Sequence, residues 1–170
     1  MPSTAHSTPR SRSRSAAATR SRKVPNAVAL LKADHREVEE MFEQFEKARS
    51  QSVKSRLAER ICSALKVHTT IEEEIFYPAF LEQARDEDIH HEAIVEHNGA
   101  KKLIAEIESS DPSDDYFDAK VKVLSEMIKH HVKEEEQAGG MFAEAKKSKM
   151  DLDELGERLM QRKGQLAGQH

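Results

Sequence analysis

The sequence predicts an all-α protein: an up-down-up-down four-helix bundle with a short C-terminal fifth helix and a disordered N-terminal tail. Three observations predict it. Aromatic residues are only 5% and charged residues 34% of the 170, with 6 Gly and 5 Pro, a balance that favours helices over sheets. Apolar residues recur in steps of three and four along four long segments, the periodicity of a one-sided helix. Short polar stretches join those segments, as antiparallel neighbours in a bundle require.

Taken in order, residues 1–23 form a Ser/Thr/Arg/Ala tail with almost nothing to bury, expected to be disordered. Residues 24–170 make the helical domain. The first helix opens with Asn26 as N-cap after Pro25 and places Val28, Leu31, His35, Val38, Phe42 and Phe45 on one stripe, stopping near Ser50. A second helix starts near Ser52, with its stripe at Leu57, Ile61, Leu65, His68, Glu72 and Ile75. Pro78 falls inside that pattern and is expected to kink or end it. The third helix begins in the acidic patch Asp86–Asp88, which suits a helix N-terminus, and presents Ala93, His97, Ala100, Ile104 and Ile107. After the turn Ser109–Asp115, the fourth carries Val121, Leu124, Ile128, His131 and Glu135, until Gly139-Gly140 breaks it. A last helix over about 151–163 opens at Asp151, with Glu154 three residues on. It is expected to pack across one end of the bundle.

Charge is unevenly distributed. The tail holds six basic residues and no acid, so the remainder carries 21 basic against 31 acidic residues. The tail reads as a nucleic-acid arm, an organelle transit peptide or a plain solubilising extension. An acidic bundle adds no basic face to it, so nucleic-acid binding through the tail alone would be weak and salt-sensitive. One cysteine, Cys62, excludes an internal disulfide and suits a reducing, cytoplasmic setting. No apolar run reaches the roughly 18 residues of a membrane helix, and no secretory signal is expected.

Seven of the nine histidines lie between Asp34 and Glu135, and each of the four stripes has one at its centre. A lone buried histidine is usually a hydrogen-bonded core residue. Four of them, one per helix and all facing inward, would bury many polar groups for no apolar gain. A metal ion removes that penalty, because imidazole nitrogen ligates iron, zinc and copper. His68 and Glu72 are one helical turn apart on the same face, and His131 and Glu135 repeat the spacing. A carboxylate alone in a core is costly, whereas one bridging two cations offsets their repulsion. The mixed nitrogen and oxygen donors point to iron before zinc. His130 keeps phase with Val123, Met127 and Glu134, so it stands beside His131 as an alternative; the stronger stripe favours His131. Glu73 is expected to point off the stripe.

These runs are Asp34-His35-Arg36-Glu37-Val38-Glu39-Glu40-Met41-Phe42, His68-Thr69-Thr70-Ile71-Glu72-Glu73-Glu74-Ile75-Phe76-Tyr77-Pro78, Glu96-His97 and His130-His131-Val132-Lys133-Glu134-Glu135-Glu136. They resemble the hemerythrin HHE cation-binding family over about residues 27–145. The resemblance implies a non-haem di-iron centre with oxo and carboxylate bridges. It would make His35, His68, Glu72, His97, His131 and Glu135 the metal ligands, with Glu72 and Glu135 bridging. Oxygen-carrying members have a second histidine one turn before the one on the third helix, where this chain has Ala93. The implied site is short of one imidazole there, with an open or water-filled position, which favours handling or sensing of oxygen, nitric oxide, peroxide or iron.

Two other functions compete. A reversible oxygen carrier would need the missing imidazole. A ferritin-like di-iron oxidoreductase would use paired Glu-x-x-His motifs, and only Glu87 and His90 form one. A metal-binding protein is therefore expected rather than a dedicated enzyme. Its ligand would be a diatomic molecule or peroxide, without membrane association.

Overall fold

A computed structural model describes residues 23–168; the basic tail expected over residues 1–23 lies outside them except for Lys23. Among the described residues there are α-helices α1 (Ala27–Lys47), α2 (Gln51–Ile71), α3 (Tyr77–Gln83), α4 (Glu87–Ser109), α5 (Phe117–Glu136), α6 (Met141–Lys147) and α7 (Leu152–Ala167). A π-helical turn, Glu72–Phe76, joins α2 to α3, and no strand is present among these residues. Among the described residues, no helix is long and apolar enough to cross a membrane.

The helix starts follow local chemistry. The side chains of Asn26, Asp86 and Asp151 accept the backbone N–H of Ala29, Ile89 and Glu154 at 2.9, 3.1 and 3.0 Å, each satisfying a donor the first turn leaves unpaired. At the other end of α5, Gly139 takes a left-handed φ of 78°. The chain then folds so tightly over the last carbonyls of α5 that a Cβ on Gly140 would lie 2.2 Å from the Glu134 carbonyl oxygen. That reversal seats α6, which buries Met141, Phe142 and Ala145.

Packing closes the four-helix bundle: α1 lies on α2 and α5, and α4 lies on α5 and α2. Two apolar clusters form the core. One gathers Val38, Phe42, Phe45, Ile61, Leu65, Ile104, Leu124 and their neighbours. The other gathers Leu31, Ile71, Phe76, Phe80, Met141, Phe142 and Leu159. Between them runs a buried polar layer of His35, His68, Glu72, His97, His131 and Glu135.

Three expectations change. Pro78 does not end the second bundle helix; a π-turn precedes it, and the chain runs on as α3 with the proline in its first turn. The last helix is longer than expected, reaching Ala167. It lies along α1 rather than across an end. A Cβ on Gly156 would meet the Pro25 carbonyl oxygen at 2.2 Å, and seven residues later Lys163 pairs with Asp34, so α7 runs parallel to the first half of α1.

Candidate metal centre

The polar layer is organised around two carboxylates. Glu72 Oε1 lies 3.2 Å from His68 Nε2, and Glu72 Oε2 lies 3.2 Å from His97 Nε2. Glu135 Oε2 lies 3.3 Å from His35 Nε2, and Glu135 Oε1 lies 3.5 Å from His131 Nε2. Each carboxylate thus divides its oxygens between two halves. One half holds His35 and His68, with Nε2 atoms 3.1 Å apart, and the other His97 and His131, 3.2 Å apart. The structure brings all six sequence-predicted residues together, each buried.

A metal ion fits this donor set. Ligands held at about 2.0–2.2 Å from one ion sit roughly 3 Å from each other, the spacing found here. Glu72 Oε1 and Glu135 Oε2 are buried and face only an imidazole Nε2 each, without a well-formed hydrogen bond, an expensive condition for carboxylate oxygens unless positive charge completes it. Donors from His35, His68, Glu72 and Glu135 lie within 4.8 Å of one another, as do those from Glu72, His97 and His131. The two groups share Glu72.

Every imidazole is held from behind. With Nε2 turned inward, Nδ1 meets a carboxylate: Glu136 at 2.7 Å for His35, Asp34 at 3.4 Å for His68, Glu73 at 2.9 Å for His97 and Glu96 at 2.7 Å for His131. Such partners fix ring orientation and raise ligand basicity. Glu73 therefore does not point away from the site, as its place off the stripe suggested. His130 is exposed and 3.1 Å from Glu96, outside the polar layer. Glu87 is exposed and His90 lies against the Tyr77 ring, so the lone Glu-x-x-His stays out of the site.

Charges in the metal-free layer are strongly displaced. Burial alone would lower the His68 imidazole, but Glu72 and Asp34 beside it push it up to about 10. Burial also opposes the charge on His131, and Glu135 and Glu96 outweigh it, raising it to about 9. Burial would raise the Glu72 carboxyl, yet His68 and His97 hold it well below the usual carboxylate range. Protons on the imidazoles thus do, in the metal-free chain, part of what cations would do.

Spacing rules did not reveal Tyr77. Its hydroxyl lies 2.9 Å from Glu135 Oε1, 3.3 Å from Glu72 Oε2 and 3.0 Å from His97 Nε2. In a regular α-helix, a residue five positions after Glu72 points about 140° away from it. The π-turn, whose Tyr77 N–H reaches the Glu72 carbonyl, returns the two to one face. Burial and then Glu135 and Glu72 raise the phenol well above its ordinary value, so it stays protonated in the metal-free chain. The sequence left a gap at Ala93; Tyr77 approaches His97 instead. Ala93 itself is buried and lines a cavity of about 50 Å³ together with His131, Glu135 and Gly140, room for one small molecule.

A family model described as the hemerythrin HHE cation binding domain matches residues 26–140. Among solved structures, a hemerythrin HHE cation binding domain-containing protein from Mycobacterium kansasii superposes with a TM-score of 0.71 at 22% identity, covering 85% of this chain and 89% of that one. At that identity the likeness speaks for the fold. No curated protein matches the sequence.

Proposed function

The chain belongs to the hemerythrin HHE cation-binding domain family, and from that premise we propose that it is a non-haem di-iron protein that senses or handles a small oxidant or diatomic ligand. The observation that carries the two-metal reading is the division of Glu72 and Glu135, each with one oxygen toward each histidine pair. Mixed nitrogen and carboxylate donors with two shared carboxylates suit iron better than zinc. His35, His68, His97 and His131 would hold the ions, and Glu72 and Glu135 would bridge them. When bound, the two ions would supply redox change and positions for a small ligand.

The protein side of the chemistry rests on the residues. Carboxylates on every Nδ1 keep the imidazoles aimed and strongly donating. The apolar clusters on either side keep bulk water out. The cavity beside Ala93 admits only a molecule of a few atoms. Tyr77 places a protonated phenol within hydrogen-bond reach of both carboxylates, where it can deliver a proton to a ligand arriving in the site. An acid at that position can protonate a ligand as it is reduced, which favours oxidant handling over storage. The ferritin-like reading gains nothing, since the donors remain His-x-x-x-Glu pairs.

Metal analysis with an optical spectrum tests the proposal. Protein purified from iron-replete cells should hold about two irons per chain, and the spectrum should change on exposure to air. One tightly bound zinc and no iron would overturn it.

A further inference from the structure

The carboxylates behind the four imidazoles are themselves held from outside, three of them by permanent cations. Arg36 donates to Glu136 at 2.7 Å, and Lys101 to both oxygens of Glu73 at 2.6 Å. Lys163 donates to Asp34. The fourth carboxylate, Glu96, has His130 at 3.1 Å. Arg36 and Lys101 stand on bundle helices beside the groups they serve. Lys163 instead comes from α7, beyond residues 26–140 that the family model matches. It reaches across to a carboxylate that is 8% exposed and in contact with His68.

The surroundings give that lysine a specific task. Asp34 Oδ2 faces His68 Nδ1 and its Oδ1 faces Lys163, so one carboxyl group connects α7 to the imidazole. Asp34 also forms part of the wall of a cavity of about 310 Å³ between α1, α2 and the end of α7, lined by Glu37, Arg60, Ser63 and Lys163 among others. Without the ammonium group, Asp34 could turn into that space toward water and toward Arg60. His68 would then lose its partner, and with it a fixed ring orientation. The two contacts that dock α7 electrostatically differ in this respect: Arg162 pairs with Glu74 at 2.7 Å, and Glu74 touches no imidazole.

We propose that Lys163 is a positioning residue for the metal centre: through Asp34 it holds His68 in its ligating orientation, making α7 a working part of the His35–His68 half rather than an appended helix. This rests on the di-iron reading above. Lys163 acts at a distance from the ions and touches no donor atom itself.

Iron release tests it. Full-length protein, loaded without oxygen with two equivalents of iron(II), is mixed with a chromogenic iron(II) chelator, and release is followed by absorbance. K163M should lose one of its two irons about tenfold faster than the native chain, the lower end of the range expected when a ligating histidine loses its partner. D34N should accelerate the same iron. K163R should restore the native rate. R162M, which breaks an ion pair on the same turn of α7, should leave release unchanged. Native-like release from K163M, with two irons bound, overturns the inference alone. So does K163R behaving like K163M. Equal acceleration by R162M also overturns it, because docking of the helix, not the Lys163 charge, would then be responsible. A native chain that takes up no iron overturns the di-iron reading and this inference with it.

Discussion

Glu72 and Glu73 are neighbours in sequence with different duties, and substitutions should separate them. Glu72→Ala removes the carboxylate shared by the two halves. It should abolish binding of at least one ion and remove the metal-dependent part of stability, since binding and folding energy are linked here. Glu73→Ala removes only the partner of His97 Nδ1 and should weaken metal affinity by about 10–100-fold while leaving two sites. Competition with a metallochromic indicator distinguishes them; identical affinities for the two variants would refute the division of roles. The buried cluster of His35, His68, Glu72, His97, His131 and Glu135 was legible in the sequence, because one inward-facing histidine per stripe and two i,i+4 His–Glu pairs are visible without coordinates. Glu73, Glu96, Glu136 and Asp34 were not, because they reach the ring nitrogens from the flanks of their helices, where a periodicity reading sees only solvated charge. Tyr77 was hidden for another reason. Five residues is the wrong step for an α-helix, and the only local sign of a π-turn was Pro78, which read as a kink or an end.

Among the elements, α7 departs furthest from expectation, and one glycine controls where it sits. Its close approach to α1 depends on Gly156, whose missing side chain admits the Pro25 carbonyl. Gly156→Val should push α7 outward at a cost of about 1–3 kcal/mol, as overpacking usually does. The thermal midpoint should drop by several degrees, at about 2–4 °C per kcal/mol for a chain of this size. An unchanged midpoint would mean that α7 is not held there. The helix itself was legible from Asp151, Leu152, Leu155 and Leu159. Its partner was not, because an apolar stripe says that a face is buried but not against what. The short α6 was missed altogether. Met141, Phe142 and Ala145 are too few for a period to show, and the two glycines before them signalled only an ending.

Across the whole molecule, protons and metal ions compete for one buried layer. His68 and His131 titrate near 10 and 9 in the metal-free fold, so both are protonated at pH 7, and metal uptake must displace those protons. Metal affinity should therefore climb with pH from 7 to about 9–10 and then level, and calorimetry in buffers of different ionisation enthalpy should register proton release. Affinity that is flat over that range would contradict the assignment. For the metal-free fold the sign runs the other way. An imidazole raised above its unfolded value near 6.5 contributes its full stabilisation below that pH and loses it as pH rises through 9–10. Glu72, held low, contributes above about 4.5 and loses it on acidification. The metal-free chain should thus be most stable between roughly pH 5 and 7. The sandwich of apolar cluster, polar layer and apolar cluster has a further consequence for cooperativity. Two hydrophobic bodies separated by a charged plane have little to couple them except the helix backbones that pass through. Amide hydrogen exchange on the metal-free chain should accordingly resolve two opening units, one around Phe42, Ile61 and Leu124, the other around Phe76, Phe80 and Phe142, with different opening free energies. Loading the layer with metal would rivet the halves together, and the two sets of amides should then exchange as one.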